Sequence, residues 1–288
     1  MTSSVHTNMG AMLALQNLNR TNRDMENIQT RINTGLKVSN AKDNGAVYNI
    51  AQQQRADHSA FDAVRTSLNR AKSIADVALA AGESLSDIFM QMREKAVAAA
   101  DPSASATSRA AYNQEFIALR DQVSSIIQNA VFDGGNLLNG GGTTLDFLAN
   151  TSGSLTVSLP VLDLNLGASG SAPGVLPTPP VDVYLEVDDV LDTAANAAIV
   201  RDRVAASLNF VNAELARLGA AAKRIDNHNV FVGKLQDSIK GGIGNLVDAD
   251  MAVEAARLQA AQVKQQLGTQ ALSIANQAPQ SILSLFRQ

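Results

Sequence analysis

Three histidines, His6, His58 and His228, could offer an imidazole for metal binding or proton transfer, but they stand far apart and no carboxylate-histidine motif accompanies them. They read as surface histidines. The acidic cluster Glu186, Asp188, Asp189 and Asp192 has the ligand chemistry for calcium but not the loop spacing of a calcium motif, and it stands where a helix begins, so helix capping and solvation explain it better. Gly241, Gly242 and Gly244 lack the Lys-Ser/Thr of a phosphate loop and follow no strand; they read as a flexible joint. With no cysteine, disulfides, thiolate catalysis and thiolate metal sites are excluded together. No residue is assigned a catalytic, cofactor-binding or metal-binding role.

The charge balance narrows the partners. A net charge of −4 with no basic run offers no field for phosphate backbones or anionic lipid, which argues against nucleic acid. The first residues, MTSSVHTNMGAMLALQNLNR, show no basic region followed by a continuous apolar one, so no cleavable secretory signal is read there. No stretch is apolar for long enough to insert into a membrane; the uncharged run from Gln265 to Phe286 is broken by Gln, Asn, Ser and Pro279. Aromatics make up only 4% of the chain, with no Trp, a composition suited to long helices packed through small side chains.

Periodicity then supplies the elements. Phe61, Val64, Leu68, Ala71, Ala75, Ala78, Gly82, Leu85, Phe89, Met92, Ala96 and Ala99 alternate by three and four along a helix from about Gly45 to Ala100, on the order of 80 Å long. A turn at Asp101-Pro102 leads into a second seam of Tyr112, Phe116, Leu119, Val123, Ile126 and Ala130. A third runs through Val204, Leu208, Val211, Leu215, Leu218, Ala222, Ile225, Asn229, Val232, Gln236 and Ile239, with a helix stop expected at Gly241-Gly242. The front of the chain carries a polar-interrupted heptad of Ala11, Leu15, Leu18, Asn22, Met25, Gln29, Ile32 and Leu36. In the tail, Met251, Leu258, Val263, Leu267, Leu272, Ile274, Ile282, Leu283 and Phe286 are spread around the helix, so no single face could bury them within one chain. Between Gly140 and Asp192 the composition turns to Gly, Ser, Thr and Pro with alternating apolar residues, as in LTVSLPVLDLNL and PPVDVYLEV, which reads as short strands ahead of a helix capped by Asp192 or Thr193. The fold class expected is mainly α: a long antiparallel helical coiled-coil bundle with a small β-rich insertion.

Four strings in this order resemble the bacterial flagellin family: NTGLKVSNAKDNGAVYNIAQQQRAD (Asn33 to Asp57), SLSDIFMQMREKAVAAAD (Ser84 to Asp101), SSIIQNAVFDGGNLLNG (Ser124 to Gly140), and the closing run from Gly244 to Gln288. The resemblance implies a main filament subunit, not an enzyme, that polymerises with copies of itself into the swimming filament. It implies an inner-tube coiled-coil layer from residues 1–40 and 245–288, an outer-tube helical layer from 41–140 and 192–244, and a small surface-exposed insertion from 141–191. Type III export to the cell exterior is implied as well, with an export apparatus, an export chaperone, and hook-junction and cap proteins as partners.

Polymerisation contacts are expected at Leu15, Leu18, Met25, Ile32, Met251, Leu258, Leu267, Leu272, Ile282, Leu283 and Phe286. The family often carries O-linked sugar on its insertion, where Thr143, Thr144, Thr151, Ser152, Ser154, Ser169, Ser171 and Thr178 could accept it. A Toll-like receptor of animals reads, in the family, an Arg and a Leu in the stretch matching FMQMREK and a Glu on the next helix; here Gln91 and Lys95 stand at the first two positions and Glu115 at the third. Two rivals remain: a hook-filament junction protein, which shares the end strings in weakened form, and a binding module such as a flagellin-like surface adhesin or glycan receptor. The unbroken closing run argues against the first and the short insertion against the second. That insertion also has neither the room nor the His-Glu-His constellation for the protease that some flagellin-like chains carry.

Overall fold

In a computed structural model, the described residues are 8–167 and 183–285, with side chains through Gln277. Among these residues are five helices, α1 (Met9–Thr34), α2 (Gly45–Ala100), α3 (Ala106–Asn129), α4 (Ala194–Val247) and α5 (Met251–Leu285), with two short hairpins between α3 and α4. These are β1 (Val131–Phe132) with β2 (Gly135–Asn136), and β3 (Thr144–Leu148) with β4 (Thr156–Pro160), both antiparallel. The chain divides into two compact units, one of Met1–His58 with Asp237–Gln288, the other of Ser59–Gln236.

The second unit is built on the three seams. Along α2, Val64, Leu68, Ala71, Ala75, Ala78, Leu85, Phe89, Met92, Ala96 and Ala99 are all buried, and Phe61 packs at the margin. Small residues let α4 come close: a Cβ added to Gly82 would collide with the side chain of Leu215. The two helices run antiparallel, as the cross-links Lys72 to Asp226 at 2.6 Å, Asn69 to Asn229 at 2.7 Å and Ser86 to Asn212 at 3.0 Å require. Gln236 at the end of its seam is buried because its amide donates to Asp62 at 2.9 Å and its oxygen accepts from Arg65 at 3.3 Å. On α3 the buried face is Phe116, Val123 and Ile127, so Ile127 takes the place expected of Ile126, which is partly buried.

Between α2 and α3 the turn is held by hydrogen bonds. Ser105 caps α3 by accepting from the Ser108 N–H at 3.1 Å, and the Arg109 guanidinium donates to the carbonyl of Ala99 in the last turn of α2 and to those of Asp101 and Ala104 in the loop that follows. The Asp101 carboxyl is held below its ordinary value by the Ser103 N–H and hydroxyl. After α3, Asp133 and Gly134 both take positive φ, the backbone that a two-residue hairpin turn demands and that Asp-Gly accommodates.

The insertion is packed into the same core. Phe147, Leu159, Leu162, Leu164, Val183, Leu185 and Leu191 are buried with the helices, and Ser207 on α4 accepts from the N–H groups of Tyr184 and Leu185 at 3.0 Å each. Thr193 caps α4, its hydroxyl accepting from Asn196 N at 3.1 Å.

Two expectations require correction here. The helix stop at Gly241-Gly242 is absent: α4 continues through Gly241, Gly242 and Gly244 to Val247. Each glycine costs the helix about 1 kcal/mol relative to alanine, and the packing of Ile243, Leu246 and buried Val247 against Leu36, Val38 and Val47 offsets it. The acidic cluster is not merely solvated. Glu186 and Asp189 are buried against Arg203, whose guanidinium lies 3.1 Å from Glu186 and 2.8 Å from Asp189. Burial pushes the Asp189 carboxyl above its ordinary value, against the lowering by the Glu186 N–H and Arg203. A carboxyl raised in the folded state favours folding most at pH values below its unfolded pKa and loses that advantage as pH rises through the folded one. Replacing Arg203 with Leu should therefore destabilise the unit by about 3–5 kcal/mol at neutral pH, because two carboxylates are left buried without their cation. The loss should shrink toward pH 4 as Asp189 protonates. Urea unfolding of wild type and Arg203→Leu across that range measures both; a loss independent of pH would contradict the assignment.

Candidate assembly surface

The first unit pairs the two chain ends. α1 and α5 run antiparallel: Arg31 meets Glu254 at 3.4 Å, Asn22 accepts from Gln265 at 2.9 Å, Leu18 packs at Gly268, and the Asn8 side chain donates to the Ala275 carbonyl at 2.7 Å. Asn8 also caps α1 by accepting from Ala11 N, and Gly35 ends it at φ 70°. The α5 side of the seam is Glu254, Leu258, Ala261, Gln265, Gly268, Leu272 and Ala275, a strict four-three repeat of partly or fully buried positions. On α1 no residue is fully buried. One partner helix covers one side of each, which leaves the rest of both exposed.

Polar positions set the register of this pair. Glu254 is 4% exposed; one carboxylate oxygen accepts from Arg257 at 2.8 Å and Arg31 at 3.4 Å, while the other has no hydrogen-bond partner among the described residues. It lies in the first turn of α5, at the positive end of that helix's dipole. Asp250 caps that turn, accepting from Ala252 at 2.9 Å and Val253 at 3.2 Å.

Where both ends leave the coiled coil, Lys37 N donates to the Val247 carbonyl at 2.7 Å and Ala249 N to the Gly35 carbonyl at 2.8 Å, closing a small core of Val38, Ala51 and Val247. Asp43 ties the following loop by accepting from Ser39 N, Ser39 Oγ and Asn40 N, which holds its carboxyl below the ordinary value.

Of the residues expected to make polymerisation contacts, Leu18, Met25, Ile32, Leu258 and Leu272 lie partly buried in the α1–α5 seam. Leu15, Met251 and Leu267 are exposed, at 48%, 45% and 58%. The side chains of Ile282 and Leu283, and all of Phe286, lie outside the described residues. The seam differs from the expected heptad at two places: Ala14 and Ile28 are partly buried, whereas Leu15 and Gln29 are exposed.

A feature missed by residue-by-residue reading is that α5 carries a second heptad. Val253, Ala256, Ala260, Val263, Leu267, Gln270 and Ile274 repeat by three and four, all exposed, on the side away from α1. Counting two offset heptads in the tail would have found it. With Met9, Met12 and Leu13 also more than half exposed on α1, these ends offer apolar surface that a single chain does not cover.

Comparison with known proteins follows the same two ends. The family models described as the bacterial flagellin N-terminal helical region and C-terminal helical region match residues 5–143 and 202–286. The flagellin FljK of Caulobacter vibrioides is 45% identical over 99% of this chain and 99% of its own. A flagellin of Brucella melitensis is 38% identical, again over 99% of both chains, and flagellin C of Rhizobium meliloti is 32% identical over 99% of this chain and all of its own.

Proposed function

This chain belongs to the bacterial flagellin family, and on that premise we propose that its paired end helices are the surface through which copies join. Flagellins are structural proteins that polymerise into the flagellar filament, the extracellular appendage of swimming motility, and this chain is such a subunit. The observation that carries the proposal is the second, uncovered heptad of α5. Val253, Val263, Leu267 and Ile274 on it each gain up to about 1.5–3 kcal/mol only when neighbours surround them. Leu15, Met251 and Leu267 contribute exposed surface directly, and Leu18, Met25, Ile32, Leu258 and Leu272 hold the α1–α5 pair in register. Ile282, Leu283 and Phe286 extend the tail's contacts.

In this reading residues 1–40 and 245–288 form the inner tube, 41–140 and 192–244 the outer layer, and 141–191 the surface. The stretch from Gln265 to Phe286 carries no charged side chain, so a channel it lined would not bind a passing unfolded chain electrostatically. The subunit reaches the tip through the flagellar export apparatus with an export chaperone, and meets hook-junction and cap proteins there.

The test is protection on assembly. Residues 1 to 40 and 245 to 288 should be cut by protease and exchange amide hydrogens rapidly in the monomer, and become protected in filaments. Rapid exchange persisting at both ends inside filaments would sink the reading.

O-linked sugar fits the surface role of the insertion. Thr143, Thr144, Thr151, Ser152 and Ser154 are exposed, while Ser169, Ser171 and Thr178 lie outside the described residues. Subunits from native filaments should weigh more than the 30.2 kDa of the chain by whole sugar increments. A mass equal to the sequence mass removes the modification.

A further inference from the structure

Sulfur is unevenly placed on the apolar surface of the chain ends. Leu13, Leu15, Val253, Val263, Leu267 and Ile274 are exposed there and purely aliphatic, which leaves a mild oxidant nothing to attack. Met9 and Met12 are different. They are 73% and 58% exposed, stand three residues apart and so share one face at the start of α1, beside Leu13. Met251 is 45% exposed in the first turn of α5, and Met90 on α2 is 51% exposed in the other unit. Met25 is partly buried in the α1–α5 seam and Met92 is fully buried. With no cysteine in the chain, these thioethers are the sulfur that an oxidant meets first. The Met9–Met12 patch is also free of charge: α1 carries no charged side chain before Arg20, and α5, which Asn8 reaches by donating to the Ala275 carbonyl, carries none after Lys264.

We propose that Met9 and Met12 form a modification site through which peroxide-class oxidants control polymerisation. The thioether sulfur attacks one peroxide oxygen, and the O–O bond breaks as the S–O bond forms. The departing hydroxide takes the proton of the transferred hydroxyl and leaves as water, so sulfur loses the two electrons that the peroxide gains. Each sulfoxide sets a polar oxygen where an apolar thioether stood, and covering that oxygen without a hydrogen-bond donor is unfavourable. The unassembled chain is the sensitive state, because its patch is open. Once neighbours cover it, peroxide no longer reaches the sulfur, so oxidation acts on free subunits and spares filaments. Sulfoxide reductases, one for each epimer, reverse the change. The proposal rests on the reading that copies join through the paired ends, and adds the chemistry that regulates that surface.

Hydrogen peroxide is the probe. Full-length monomer, treated, quenched and mapped by peptide mass spectrometry, should gain one oxygen at each of Met9 and Met12 while Met92 stays unmodified, and its helicity and melting temperature should hold. The oxidised monomer should need about tenfold or more higher concentration to polymerise. Reduction by the two sulfoxide reductases should restore the untreated value, a repair that needs no substitution. A Met9→Leu, Met12→Leu chain should polymerise as untreated wild type does and continue to do so after peroxide, whereas a Met90→Leu, Met251→Leu chain should remain sensitive. In preformed filaments Met9 and Met12 should oxidise about tenfold or more slowly than in monomer. Polymerisation indifferent to oxidation of Met9 and Met12, or unrestored by the reductases, or still sensitive in the Met9→Leu, Met12→Leu chain, overturns the inference and leaves the joining surface standing. Failure of untreated chain to polymerise, or equal oxidation of the patch in filament and monomer, overturns the reading of the ends as the joining surface, and the inference with it.

Discussion

A chain lacking residues 279–288 is expected to fold as the full-length monomer does and to form no filaments. The Asn8 side chain at the start of α1 donates to the Ala275 carbonyl of α5, and the deletion begins after that hydrogen bond. What goes includes Ile282, Leu283, Leu285 and Phe286, four apolar residues, with Arg287 as the segment's one charged side chain. If neighbours bury them, their loss costs at least about 5 kcal/mol per subunit, a several-thousand-fold rise in the concentration needed to polymerise. Circular dichroism of the monomer should be unchanged apart from the missing turns. Negative-stain microscopy, at concentrations where wild type gives long filaments, should show none. Normal filaments from the truncated chain would show that the tail's apolar residues are not an assembly surface.

Much of the helical core of the Ser59–Gln236 unit was legible because its seams obey one rule. Every third or fourth residue from Val64 to Ala99 is small or apolar, and every one of those positions is buried. The end of α4 was not legible from its glycines, since a glycine pair is equally compatible with a stop and with a helix held by its neighbours. Here the choice is made by Leu36, Val38 and Val47, distant in sequence, which pack on Ile243 and Leu246.

The paired ends were only half legible, for a related reason. The α5 seam is written in Glu254, Ala261, Gln265 and Gly268 as much as in Leu258 and Leu272, so its larger apolar residues looked scattered when a polar and small-residue heptad ran between them. Register there is set by Arg31 with Glu254 and Asn22 with Gln265, pairs more than 200 residues apart. Likewise Glu186 and Asp189 resembled a solvated acidic run because their partner, Arg203, lies 14 residues beyond Asp189 on a face of α4 whose burial depends on the insertion folding back. Local spacing carries periodicity well and long-range polar pairing poorly.

Animal cells carrying the Toll-like receptor for flagellin should respond weakly to this monomer. The resemblance places Gln91, Lys95 and Glu115 where the receptor meets an Arg, a Leu and a Glu. Gln91 is exposed on α2 and offers a neutral amide where a bidentate guanidinium is read. Lys95 does more than remove an apolar contact, since its ammonium lies 2.7 Å from a Glu115 carboxylate oxygen. The one retained residue is thus already paired. That hydrogen bond, with the charge of Glu115 behind it, raises the Lys95 pKa. Docking would have to part an ion pair and desolvate an ammonium against an apolar receptor surface. The exposed pair itself is worth little, so the main losses are the Arg anchor and the misplaced charge, about 2 kcal/mol or more each at a hot spot. Together they weaken binding several hundred-fold or more. Reporter cells dosed with nanomolar monomer read the result, and activation equal to that of an enteric-type flagellin would show the placement of Gln91 and Lys95 to be wrong. A Gln91→Arg, Lys95→Leu chain, with the guanidinium restored and Glu115 released, should regain at least tenfold in potency.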